Sequence, residues 1–208
     1  MMDQYLFVPG GKRTKSDWDQ VRTILASRGQ RTEAITLSDP ERASLGDHIA
    51  EVCRLIDQGD LREVILVGHS YAGFVITGVA VAVPGRIARL VYVDSAIPVS
   101  GQSLFDVFGA AGIDPGKYGV PAWPPFRSPL VFDAAVIGKI PKTYIHCLRS
   151  QFLEMTHAIP RRFKKRPSGN LWEYLPTGDA NWRYESLYAD HYCMLNAPAA
   201  LAEILLPR

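Results

Sequence analysis

Little in this sequence is out of balance, and what it lacks removes whole classes of protein. It has three cysteines in 208 residues, Cys53, Cys147 and Cys193. They are odd in number, widely spaced and without metal-ligand spacing. Neither a disulfide framework nor a zinc site is expected, and reduced thiols in a cytoplasmic protein are. Charge of one sign is not in excess: 23 Lys and Arg against 21 Asp and Glu leave a net +2. Nothing there points to nucleic acid or an anionic membrane surface. The single basic run, Arg161 to Arg166, reads as the solvated end of a helix. No apolar stretch is long enough to span a bilayer, and no basic segment followed by an apolar one opens the chain. Internal repeats and low-complexity segments are missing too. What remains, at 47% hydrophobic residues, fits one globular domain with a sizeable core.

What is present is an alternation. "YLFV" (5–8), "EAITL" (33–37), "EVILV" (63–67), "RLVYV" (89–93), "KTYIHC" (142–147) and "WRYESL" (182–187) read as strands. Between them lie helical patterns: one capped by Ser16 and ended by Gly29, one from Ser44 to about Gly59, one of small residues from Ala72 to Val83. A helix from about Phe152 to Lys165 and a closing one at 198–206 are also expected, while "NLWEYL" (170–175) is ambiguous. Strands alternating with helices predict an α/β fold, a mostly parallel sheet covered on both faces. From Ser95 to Pro141 the pattern dissolves into a Gly-, Pro- and aromatic-rich stretch. A segment of that length is expected to be a lid or short cap on the single domain of residues 1–208.

"EVILVGHSYAGFVITG" (63–78) is the stretch that carries chemistry. Ser70 follows a strand of the buried type and precedes a helix, at the carboxyl edge where parallel sheets open their ligand crevices. A sharp strand-to-helix turn there requires small residues two before and two after, and Gly68 and Ala72 are small. An alcohol is a weak nucleophile at neutral pH and needs a base. Of five histidines, His48, His146 and His157 lie on expected helices or a strand and read as surface or packing residues. His69 sits inside the turn and is expected to point away from Ser70. His191 lies in a loop after the last strand and is the candidate base. The oxyanion of such a reaction needs two N–H donors. One is expected from Tyr71, at the start of the helix, where the dipole also favours negative charge. The other is expected from the loop "VPGGKRT", where Gly10 and Gly11 let the backbone turn inward.

These segments resemble the alpha/beta-hydrolase superfamily, and within it small bacterial esterase-like proteins related to plant methylesterases and hydroxynitrile lyases. "LFVPGG", "DHIAEVCRLID", "VILVGHSYAGFVITGVA" running on to "RIARLVYVDSAIPVSGQSLFD", and "ADHYCMLNAPAALAEIL" carry the likeness. It implies Ser70 as nucleophile, His191 as base, and Gly11 and Tyr71 as oxyanion donors, with no metal and no cofactor. It implies a serine hydrolase that cleaves a small carboxylic ester through an acyl-enzyme. Pro9 stands where the family usually has histidine, and Ala72 where it usually has glycine. A lyase would place lysine after the catalytic histidine and threonine in the first oxyanion loop; Tyr192 and Gly10 occupy those positions. A non-catalytic small-molecule-binding protein on the same fold is the other alternative. Phe105, Phe108, Tyr118, Trp123 and Phe126 could wall a substrate pocket or pack a short cap, and Trp123 and Phe126 are the substrate-binding candidates.

The acid departs from the family's pattern. Related esterases usually carry an aspartate after the strand equivalent to "KTYIHC", where this chain continues "LRSQF" with Ser150 near that place. Glu154 would have to reach back from a helix, and Asp190 adjoins His191 on a segment where neighbouring side chains diverge. Asp94 ends "RLVYV", at the same edge as Ser70, and haloalkane dehalogenases carry their acid at that strand end. Asp94 is therefore favoured, with a carboxylate oxygen expected about 2.6 to 3.2 Å from a ring nitrogen of His191.

Overall fold

The computed structural model describes residues 2–152 and 181–207. Nearly all of the helix expected from Phe152, the stretch 170–175, the basic run, Glu154 and His157 lie outside them. Six strands form one sheet: β1 (Gln4–Val8), β2 (Arg31–Ala34), β3 (Val64–His69), β4 (Ile87–Val93), β5 (Lys142–Cys147) and β6 (Trp182–Leu187), in the order β2-β1-β3-β4-β5-β6. Every pairing is parallel. The central strands read as continuous apolar runs because both of their faces are covered.

Successive side chains alternate across the sheet and build two cores. Leu6, Val8, Val64, Leu66, Leu90 and Tyr92 face one side, with α2 (Leu45–Gln58), α3 (Ala72–Ala82) and the segment after β4. Tyr5, Phe7, Ile65, Val67, Val91 and Val93 face the other, with α1 (Asp19–Ser27) and the last two helices, α7 (Cys193–Asn196) and α8 (Pro198–Leu205). Helix α3 is apolar all round because it is buried on nearly every side. In contrast α2 is amphipathic and opens with a reciprocal cap: Ser44 accepts from the Asp47 N–H, and the Asp47 carboxylate accepts from the Ser44 N–H.

Two local expectations need correction. Ser16 does not cap a helix; a 3-10 turn, Lys15–Trp18, precedes α1, and the Ser16 hydroxyl lies 2.7 Å from that of Thr14. β2 begins two residues earlier than "EAITL" and ends at Ala34, because it is an edge strand bonded only to β1, in the register Gln4↔Arg31 to Phe7↔Ala34. One-sided pairing makes no demand for apolar residues, so hydrophobicity misplaced its bounds.

After β4 the chain leaves the sheet and returns only at Lys142. Three short helices, α4 (Leu104–Ala110), α5 (Pro124–Arg127) and α6 (Ala134–Gly138), are strung along it. An isolated bridge between Gln102 and Leu130 pins the excursion into a loop. It lies over the carboxyl edge of the sheet on the α2–α3 side, where Leu104, Val107, Phe108 and Phe126 join the core.

Candidate active site

Ser70 and Asp94 are built by the same backbone device. In the β3–β4 ladder His69 is paired with Val93, so each of the two residues lies one step beyond the last paired position. Both take left-handed conformations, φ +57 at Ser70 and +42 at Asp94. Such a conformation costs a non-glycine residue about 1–3 kcal/mol and persists where the surroundings hold it. They do: the Ser70 N–H donates to the Val93 carbonyl (3.2 Å), the Asp94 N–H to the Ile145 carbonyl (2.8 Å), and the Ser95 hydroxyl to the Ser70 carbonyl (2.6 Å).

The small-residue requirement falls on two positions. A Cβ at Gly68 would come within 2.9 Å of the Ala72 carbonyl oxygen and of Ile76. At Gly73 it would run into the Ala96 carbonyl oxygen and the Ser95 hydroxyl. Ala72, the departure from the usual glycine, is fully buried and accommodated. The close approach of α3 to the β4 loop happens one residue later.

His191 reaches the same edge from the loop after β6. Its Nδ1 lies 2.7 Å from Asp94 Oδ2, inside the expected window, and both side chains are buried. A carboxylate accepts only, so Nδ1 carries the proton and Nε2 is the bare nitrogen of the neutral ring. The other oxygen of Asp94 accepts from the Cys147 N–H at 3.2 Å, which fixes the carboxylate's plane. Asp190 is turned elsewhere: its carboxylate accepts from the Tyr192 N–H (2.9 Å) and from the Asn196 amide (2.9 and 2.7 Å). Ser150 is buried, its hydroxyl accepting from the Phe152 N–H at 3.1 Å.

His69, expected inside the turn, has a partner that the sequence did not show. It lines the site, with its ring 4.4 Å from that of His191, centroid to centroid. Its Nε2 donates to the His191 carbonyl at 2.8 Å, tying the main chain of His191 to β3. Burial pulls its pKa well below that of an ordinary histidine, and the neighbouring His191 and Arg13 pull the same way. Glycine is required at position 10 for the same reason of space: a Cβ there would lie 2.9 Å from His69 Nδ1 and 3.2 Å from the Ser70 Cβ.

The groups converge on a cavity of about 210 Å³. Gly10, Gly11, Ser70, Tyr71 and His191 line it from the carboxyl edge of the sheet. Phe108, Tyr118, Trp123 and Phe126 come in from the excursion after β4. Phe105 does not line it; its ring lies under the Arg127 guanidinium at 5.6 Å. Gly11 makes room for Phe126, whose ring a Cβ would strike. Phe152, Gln151, Arg13 and Tyr192, none of them expected at the site from the sequence, also line it. Arg13 is held by Asp17 (2.6 and 3.0 Å) and lies over the Tyr192 ring at 5.2 Å. Among the described residues no group of three His, Cys, Asp or Glu is arranged to hold a metal ion.

Known proteins resemble this chain to different extents. A carbendazim hydrolyzing esterase from Nocardioides sp. (strain SG-4G) is 48% identical over 64 residues, which is 31% of this chain; the match spans about a quarter (26%) of that relative's length. An extracellular alpha/beta-hydrolase from a Paenibacillus species superposes with a TM-score of 0.71 at 22% identity, covering 98% of this chain and 97% of its own. A pyrethroid hydrolase from Sphingobium faniae JZ-2 gives 0.74 at 16% identity, over 99% and 96% of the two chains. A methylesterase from Arabidopsis gives 0.71 at 16%, over 98% and 97%. At such identities the structures speak for the fold, but residues 5–204 also match the alpha/beta hydrolase family as a sequence. With the parallel sheet in place and the family pattern matched over nearly its whole length, the chain belongs to the alpha/beta hydrolase family.

Proposed function

We propose that the protein is a serine hydrolase that cleaves a small carboxylic ester through an acyl-enzyme. The observation that carries this reading is the buried 2.7 Å hydrogen bond from His191 Nδ1 to Asp94, which leaves Nε2 as the ring's free nitrogen on a cavity that the strained Ser70 also lines. In the first half-reaction Ser70 Oγ attacks the ester carbonyl while His191 Nε2 takes the hydroxyl proton. Asp94 stabilises the imidazolium that results without itself becoming protonated. The carbonyl oxygen becomes an oxyanion, received by the backbone N–H groups of Tyr71 and Gly11. Collapse of the tetrahedral adduct breaks the bond to the alcohol, which leaves with the proton from His191. Water, deprotonated by the same nitrogen, then releases the acid and restores Ser70.

The pocket favours a small apolar substrate. An apolar cavity of about 150 Å³ holds one benzene ring, so about 210 Å³ walled by Phe108, Phe126, Trp123 and Phe152 suits an ester with one compact apolar or aromatic part. The names of the esterase, pyrethroid hydrolase and methylesterase relatives agree with ester chemistry. Three free thiols accord with a cytoplasmic site of action, and no helix among the described residues is long and apolar enough to cross a membrane. The test is hydrolysis of a p-nitrophenyl ester together with labelling by a fluorophosphonate. Turnover, and a phosphonylated peptide modified at Ser70, are expected. A ligand-binding protein without either activity would overturn the proposal.

A further inference from the structure

Behind the oxyanion residue runs a buried chain of hydrogen bonds that the proposed reaction does not use. Tyr71 follows Ser70 directly, and its hydroxyl lies 3.0 Å from His48 Nδ1 on α2. His48 Nε2 lies 3.0 Å from the Ser38 carbonyl oxygen. Both side chains are almost wholly buried, His48 at 1% and Tyr71 at 2% exposure. A carbonyl can only accept, so Nε2 carries a proton. Burial lowers the pKa of His48 against the opposing pull of the Ser38 bond, Glu51 and Asp47, and so favours the neutral ring. Nδ1 of that ring is bare, and the Tyr71 hydroxyl must be the donor. The relay is anchored at its far end as well, because the Ser38 N–H donates to Glu51, a second residue of α2, at 3.0 Å.

The relay holds the ring of Tyr71 rather than its backbone. That backbone is secured independently by the first turn of α3, where the Phe74 N–H donates to the Tyr71 carbonyl (3.0 Å) and the Gly73 N–H to that of Ser70 (3.3 Å). The ring, by contrast, packs obliquely on Phe126 at 4.7 Å, and both residues line the cavity. Phe126 in turn meets Trp123 at 5.4 Å. The orientation of Tyr71 therefore sets the shape of an aromatic wall contributed by two separate parts of the chain.

We propose that His48 is a positioning residue for substrate selection: by holding the Tyr71 hydroxyl it fixes the ring that, with Phe126, shapes the pocket for the ester's bulkier part. This rests on the hydrolase reading above. The test compares wild type, Tyr71→Phe, His48→Leu, the double variant and His48→Gln on p-nitrophenyl acetate and p-nitrophenyl phenylacetate. A parallel measurement follows the rate at which a small fluorophosphonate labels Ser70. A lost buried hydrogen bond is worth about a factor of ten. Each single variant is expected to raise KM for the phenylacetate about tenfold, with a smaller effect on the acetate. The double variant should be no worse than the more damaged single one, since both remove the same bond. His48→Gln, which keeps an acceptor and a donor, should recover most of the loss. Multiplying losses in the double variant, a fall in kcat with KM unmoved, or no recovery by glutamine would overturn the inference. If His48→Leu fails to fold, Tyr71→Phe and His48→Gln decide it by the same KM shift and recovery. Wild-type protein that is neither labelled at Ser70 nor active would instead overturn the hydrolase reading on which this one stands.

Discussion

The two edges of the sheet use the same strained backbone for different ends. At the amino edge, Asp60 and Glu63 take left-handed conformations, φ +44 and +51, in the tight turn that leads from α2 into β3. Both are exposed, and Asp60 simply pairs with Arg86 at 2.6 Å and Arg62 at 3.1 Å. At the carboxyl edge, Ser70 and Asp94 have the same backbone sign, but Asp94 is fully buried and each residue is locked by bonds to the neighbouring strand. Left-handed geometry alone thus marks only a turn. It marks a site when burial and converging polar groups accompany it.

Breaking the carboxyl edge should have the largest effects. Ser70→Ala and His191→Ala are each expected to reduce ester turnover by about 10⁶-fold, with little change in thermal stability. Retention of most activity by either variant, measured as kcat/KM, would dissolve the contrast between the edges. Asp94→Asn comes next, at about 10⁴-fold in kcat. Its amide would present a donor to Nδ1 and favour the wrong tautomer, so the loss should appear with Tm nearly unchanged. A loss of only a few-fold would mean that another carboxylate orients His191.

Smaller effects sharpen the comparison. Gly73→Ala would drive a methyl into the Ala96 carbonyl oxygen and the Ser95 hydroxyl. It should cost about 2–3 kcal/mol in denaturant unfolding, whereas Ala72→Gly should cost only about 0.5–1 kcal/mol, the ordinary helix penalty. At the amino edge the sign reverses. Glu63→Gly relieves a left-handed side chain and is expected to stabilise by about 1 kcal/mol without altering turnover. A drop in turnover would show that this edge, too, is tied to function.

How much of this was legible in the sequence follows from how local each feature is. Alternating apolar runs gave the strands, except at β2, where an edge partner decides the register. Ser70, His191 and Asp94 were legible because strand ends fall on one edge of a parallel sheet, whatever the distance between them along the chain. The position of His69 in the turn was clear, but not that the His191 carbonyl would be its partner. His48 carried a fair signal, since Leu45, His48 and Val52 repeat at helical spacing and all are buried. What could not be read from spacing was that α2 would present His48 to Tyr71. Phe152 and Tyr192 lie in irregular segments, where no periodicity tells which side chain turns toward a cavity.

Placing the acid at the end of β4 also has a meaning in time. Ser70 and Asp94 are presented by strands adjacent in the sheet and joined by one helical crossover, so a chain emerging in order from the ribosome can assemble both together. His191 stands ninety-seven positions after Asp94. It lies just after β6 and before α8, whose Leu205 carbonyl accepts from the Tyr5 hydroxyl of the first strand at 2.7 Å. During synthesis the stretch that bears Ser70 and Asp94 therefore emerges well before the stretch that bears His191, and the proposed chemistry has to wait for both.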